Sequence, residues 1–185
     1  MFNDQQKHGN LIFDEISLRT SISVNCTTLT YSGLKDYGNE MPCEHYGQKA
    51  DHALVFMFQS YAANFSQPIA VFKTKGPVKG YILAQLVIKA ICLLENSGAL
   101  VDGLVSDGAS TNRKLWNEFG VSGKLNESKN FFTHPLNDKR KVYVFSDAPH
   151  LIKTVRNRLH NNKYLKVSDT KKCISWFHFL EMHKI

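Results

Sequence analysis

Two aspartates, far apart in the chain, stand where a carboxylate could do chemistry. Asp107 closes the stretch LVDGLVSDGASTNRKLW (residues 100–116), whose apolar run of Leu100, Val101, Leu104 and Val105 stops at Asp107 and Gly108. Short apolar runs ended by turn residues read as buried strands. A carboxylate at the end of such a strand, beside a glycine, is well placed to hold a metal ion. Asp14 lies inside a second apolar run, LIFDEISL (residues 11–18). A charge there is expensive unless it is paired or metal-bound. The plainer alternative is a surface strand on which Asp14 and Glu15 face water. Mg²⁺ takes hard oxygen ligands, so aspartates suit it better than Cys or His. Two such ions about 3.5–4 Å apart stabilise both the attacking and the leaving oxygen of an in-line phosphoryl displacement. Asp14 and Asp107 on adjacent strand ends would supply a rigid half of that site, and a third acid would complete it.

Other clusters carry less. Cys43, Glu44 and His45 are adjacent, and three adjacent residues cannot converge on one tetrahedral ion without partners elsewhere. Cys173, His178 and His183 are five apart, so on a helix they lie about 140° from one another, not on one face. The stretch SDGAS misses the nucleophile elbow GxSxG because Asn112 stands at the second glycine position. The stretch GPVKG lacks the spacing of a phosphate-cradling loop. Asp147, between Ser146 and an early Pro149, reads as a helix N-cap ahead of a metal ligand, although one residue can serve both roles.

The elements that must position the two acids follow from periodicity. Residues 11–18 read as a strand, residues 27–31 as a weak strand, and residues 52–63 and 69–75 as an antiparallel hairpin. Val78, Ile82, Leu86, Val87, Ala90, Leu93 and Leu94 recur at helical spacing over residues 78–96, with Gly98 as the stop. The Asp107 strand follows, then a helix over residues 110–119, a loop over 120–130, a turn at 135–140 and a strand at 141–145. A helix with Leu151, Ile152, Val155 and Leu159 on one face comes next. The final stretch, CISWFHFLEMHKI, reads as a short helix. A right-handed crossover through the residue 78–96 helix returns the chain to the same sheet. The expectation is an α/β fold, a mixed five-stranded sheet flanked by helices, with the Asp107 strand beside the Asp14 strand.

Bulk composition bounds the partners. At 185 residues, with 43% apolar and 21% charged residues, the chain suits one domain with a sizeable core. Its four cysteines are scattered and its first residues lack an apolar signal segment, which predicts free thiols in a reducing compartment. The most apolar window, residues 81–94, holds Gln85 and Lys89 and is too short to span a bilayer, so a soluble protein is expected. From Lys139 onward there are 11 Lys and Arg against 3 Asp and Glu, whereas the first 138 residues hold 12 against 13. A basic excess confined to the last quarter suits a polyanionic partner, nucleic acid above all; a solvated basic face is the alternative.

Three blocks carry a resemblance: LIFDEISLR, LVSDGASTNRKLWNEFGV and FFTHPLNDKRKVYVFSDAPHLIKTVRNRL. Over residues 10–160 the chain resembles the P-element transposase family, including the THAP-domain proteins derived from it. The resemblance implies an RNase H-like catalytic core that cuts and joins DNA with Mg²⁺, Mn²⁺ being its usual substitute. The family's first two catalytic, metal-binding acids fall on Asp14 and Asp107. Its third is a glutamate downstream of a guanine-nucleotide-binding insertion, and nothing places Glu118 or Glu181 there. Residues 1–160 are therefore expected to be a partial core, incomplete at its C-terminus, and residues 161–185 the start of the insertion. The chain is expected to be a fragment, with the GTP site of the full-length family outside it and no zinc-coordinating THAP module. Lys153, Arg156 and Arg158 are expected to track DNA phosphates. Transposon-end DNA as partner, a homo-oligomer and a nuclear location come from the resemblance alone. The alternative function is a catalytically inactive, transposon-derived remnant acting as a DNA- or protein-binding module.

Overall fold

The computed structural model describes residues 3–38, 47–124, 126–166 and 173–182. The cluster Cys43, Glu44 and His45, and also His183, lie outside the described residues. The chain divides into two compact units, one ending at Phe145 and the other beginning at Ser146.

The first unit opens with a single helical turn, α1 (Asp4–Lys7), closed by a reciprocal Asn3–Gln6 capping box. Next come β1 (His8–Ser17), a small antiparallel pair β2 (Ser23–Asn25) and β3 (Thr30–Ser32), and the hairpin β4 (His52–Ser60) and β5 (Ser66–Thr74). The chain continues through α2 (Gly80–Asn96), β6 (Leu100–Ser106) and α3 (Ser110–Glu118) to β7 (Phe131–His134) and β8 (Asn137–Ser146). The main sheet has the order β5-β4-β1-β6-β8-β7. β1 pairs antiparallel with β4 and parallel with β6, so the sheet is mixed and its centre is the pair of strands that carry the two acids.

The sheet has six strands where five were expected. The extra strand is β7, whose four residues are too few to show a period. The expected turn at 135–140 is mostly strand: only Pro135 and Leu136 separate β7 from β8, which runs through the charged residues Asp138 to Lys141 before its apolar part. Those side chains are tolerated because β8 is largely exposed at that end. β4 likewise ends at Ser60, three residues before the expected limit.

Alternation along β1 decides which side chains meet α2. Leu11 and Phe13 are buried and Glu15 half-buried, whereas Asp14 and Ile16 are exposed. Phe13 pairs with Phe56 and Leu11 with Phe58, and these residues form one core with Leu83, Leu86, Val87, Ala90, Ile91 and Leu94 of α2. The Phe56 ring lies 5.5 Å from Phe13 and meets Phe72 edge-on at 5.9 Å. Each fully buried large side chain contributes about 1.5–3 kcal/mol. Asp14, Val55 and Val71 share a register row and point to the other face of the sheet.

An ionic hub ties the end of α2 to three strands. Glu95 Oε1 accepts the Val101 N–H at 2.8 Å and His134 Nε2 at 3.0 Å, while Oε2 accepts Arg140 at 2.8 Å. Arg140 also donates to the Val101 carbonyl and to Asp102. His134 is buried, and its Nδ1 accepts the Leu136 N–H, which places the ring proton on Nε2, facing Glu95.

The second unit contains α4 (Ala148–Asn162), the antiparallel pair β9 (Tyr164–Lys166) and β10 (Cys173–Ser175), and α5 (Phe177–Met182). Asp147 holds the N-cap position of α4, but its side chain makes no capping hydrogen bond; Pro149 in the first turn and the Leu151 N–H to Asp147 carbonyl bond start the helix instead. The final stretch is a strand followed by a short helix rather than one helix, because Cys173–Ser175 pairs with β9. Trp176 stacks on Phe179 and meets His160 edge-on. Among the described residues, no helix is long and apolar enough to cross a membrane.

The hub makes a prediction. Burial works to raise the Glu95 carboxyl, but its hydrogen bonds with Arg140 and Val101 more than offset that and hold it below the ordinary range. A carboxylate depressed in the folded state stabilises above its unfolded value, about 4.3, and loses that contribution as pH falls through the folded value. Glu95→Gln is expected to cost about 2–4 kcal/mol at pH 7. The gap to wild type should narrow as the pH falls below 4, as read from urea unfolding at a series of pH values.

Candidate active site

The register of the central strands brings the two acids together. Ile12 of β1 faces Val105 of β6, the last pair of their ladder, and the same offset of 93 residues separates Asp14 from Asp107, two positions further along each segment. Both aspartates lie at the carboxyl end of the parallel pair, where open α/β sheets present ligand sites. They line one cavity of about 160 Å³, shared with Glu15, Ser17, His52, Thr111 and Asn112.

Each acid is held by local geometry. Asp14 Oδ1 accepts the Glu15 N–H at 2.8 Å, which fixes its carboxylate against its own strand. Asp107 Oδ1 accepts the Ala109 N–H at 2.9 Å and the Asn112 side-chain amide at 2.7 Å. Asn112 is 7% exposed, so its amide is a fixed donor rather than a mobile one. The cluster read from sequence as a helix start therefore has a second role, because the first turn of α3 reaches back to orient the acid that precedes it.

Glu15 is the third carboxylate at this cavity. It points toward α2, and its Oε1 accepts the Val78 N–H at 2.7 Å. Burial pushes its carboxyl up, the Val78 N–H and His52 act against that, and the charges of both Asp14 and Asp107 raise it further. His52 bridges Asp51 through Nδ1 at 2.7 Å and approaches the Ser17 hydroxyl through Nε2 at 3.4 Å. Asp51 in turn accepts from Lys75 and the Gly76 N–H, so the residue that holds His52 is itself braced. Among the described residues, no group of three His, Cys, Asp or Glu is close enough to hold a metal ion by itself.

Sequence reading found Asp14 and Asp107 but not Glu15, His52, Thr111 or Asn112 as cavity residues. Strand alternation signals that Glu15 turns inward; no comparable signal marks His52, which arrives through the β1–β4 pairing with Ser17. Lys153, Arg156 and Arg158 are exposed residues of α4, in the second unit, with Arg156 bonded to the adjacent Asn157.

With the geometry in hand, comparison with known proteins is decisive on ancestry. Residues 1–120 match the family described as TNP-like, RNase H N-terminal domain. The chain belongs to that family. Its fold is RNase H-like: it superposes on a chain of the Drosophila P element transposase strand transfer complex with a TM-score of 0.73 and 26% identity, over 98% of its own length. It is 53% identical over 64 residues to the Transposable element P transposase of Drosophila melanogaster. It is 20% identical over 176 residues, 95% of its length, to the DNA transposase THAP9 of Homo sapiens. The chain spans 8% and 19% of the lengths of these two relatives and 35% of the chain in the solved structure.

Removing the Asn112 donor tests the clamp on Asp107. Asn112→Ala removes the side-chain amide that donates to Asp107 Oδ1 and is expected to cost about 1.5–3 kcal/mol in denaturant unfolding, the range for hydrogen bonds to charged groups. Asn112→Ser, which keeps a donor, should recover part of the loss.

Proposed function

We propose that this chain is part of the catalytic core of a P-element-type transposase and that Asp14 and Asp107 contribute two of the acids that hold its divalent cations. The observation that carries the reading is the parallel register that sets the two aspartates in one cavity at the carboxyl end of β1 and β6. The donor set suits the metal: the cavity offers carboxylate oxygens and an amide, hard donors of the kind that Mg²⁺ and Mn²⁺ take. Bound there, the cation would supply charge neutralisation at a phosphate and an activated hydroxyl for DNA cleavage and strand transfer.

The chain's own residues do the positioning. Asn112 and the Ala109 N–H orient Asp107, the Glu15 N–H orients Asp14, and Glu15 fastens the loop before α2 to the cavity rim. Two aspartates are an incomplete shell, and the reading assigns the remaining ligands to DNA phosphate, water and a third acid in the complete protein. Transposon-end DNA as the partner, a homo-oligomer, a GTP site in the full-length protein and nuclear action belong to the same proposal. It also takes residues 1–160 as core and residues 161–185 as the beginning of an insertion. The lack of a three-residue metal cluster among the described residues favours the second reading, a non-catalytic binding module.

Calorimetric titration with Mn²⁺ separates the two readings. Wild type is expected to bind weakly and Asp107→Ala not at all; identical titrations would remove the metal site and leave the binding module. For DNA, affinity should fall steeply with salt, by about 0.9 in log–log slope per phosphate neutralised. An absent or salt-insensitive interaction would overturn DNA as the partner.

A further inference from the structure

A groove of about 410 Å³ runs between the start of α2 and the outer face of α3, lined by Lys79, Gly80, Tyr81, Thr111, Lys114 and Glu118 among others. Thr111 lines both this groove and the cavity of the two aspartates, so the two spaces lie on either side of one residue of α3. Thr111 and Lys114 are three apart on α3 and share a face. Lys79, Tyr81 and Lys114 are exposed, and none of the ion pairs among the described residues engages Lys79 or Lys114. Gly80 forms the floor: a Cβ there would lie 2.6 Å from Lys114 Cβ and 3.1 Å from the Leu115 backbone nitrogen, so only glycine lets the helices close to this distance.

We propose that this groove is a phosphate-tracking subsite, in which Lys79 and Lys114 hold the DNA strand as it leaves the aspartate cavity. The inference rests on the transposase-core reading and adds to it the path of the strand. Electrostatics favours it. The cavity's own side-chain charges, Asp14, Glu15 and Asp107, are all negative, so beyond the phosphate that a cation would neutralise, the strand needs positive charge from the protein within a Debye length, about 10 Å. In the adjoining groove Lys79 and Lys114 supply two positive charges against the single Glu118. The Tyr81 ring, 47% exposed, adds a surface on which a base or sugar can rest.

The test is fluorescence anisotropy of the full 185-residue chain with a labelled duplex and a single strand of the same length, across a salt series. Lys79→Ala/Lys114→Ala is compared with wild type, with the equal-charge control Lys124→Ala/Lys139→Ala, and with Lys153→Ala/Arg156→Ala/Arg158→Ala. The groove variant is expected to reduce the duplex salt slope by about 1.8, two phosphates at ~0.9 each, with an unchanged thermal midpoint. The equal-charge control should leave the slope near wild type. A groove variant that matches wild type, or a control that loses as much, overturns the subsite while DNA binding stands. A wild-type chain that binds neither probe overturns the DNA reading itself and the subsite with it. Thermal midpoints check folding, and if the alanine pair unfolds, Lys79→Gln/Lys114→Gln carries the same comparison.

Discussion

The structure depends on the parallel pairing of β1 with β6. Parallel neighbours point their carboxyl ends the same way, so the register that the pair holds after its shift between Gly9 and Asn10 decides whether two acids 93 residues apart meet. A slip of one residue would turn one of the two strands' side chains to the opposite face. The slip is prevented not by the acids, which gain nothing from proximity to each other without a cation, but by the apolar face behind them. Leu11 and Phe13 are locked against α2, and Val101 and Leu104 of β6 are wholly buried. The placement of Asp14 and Asp107 is held in register by the packing of Leu11, Phe13, Val101 and Leu104.

The crossover helix makes that arrangement possible and adds constraints of its own. α2 leaves the edge of the sheet after β5 and returns the chain to β6 beside β1. At its start Val78 is held by Glu15, next to Asp14; at its end Glu95 is held by Val101, His134 and Arg140. The helix is thus fastened to the sheet by a carboxylate at each end. The two carboxylates behave oppositely. Glu15, half-buried and with two like charges nearby, is raised, whereas Glu95, with Arg140 beside it, is lowered.

Much of this was legible in the sequence, for physical reasons that can be named. The apolar runs around Asp14 and before Asp107, and the helical period of residues 78–96, are strong signals because burial on one face imposes a regular pattern. The family resemblance extended them to an RNase H-like fold, which the superposition bears out. The features that escaped reading depend on partners that local sequence does not specify. β7 is a strand because it pairs with β8, and β8 carries charge at its exposed start. Asp147 has the right identity and position for a cap, yet its side chain forms no capping bond. His52 and Asn112 reach the cavity through pairing and helix geometry, not through any motif.

The placement of the Glu95 hub has an evolutionary corollary. β6 begins beside Glu95 and Arg140 and finishes at Ser106, one residue before Asp107. Resistance to unfolding and the orientation of Asp107 are therefore set at opposite ends of the same strand. Substitutions at the Asp107 end could reshape the cavity and leave the scaffold durable, and substitutions at the Glu95 end could tune resistance to heat without altering the cavity.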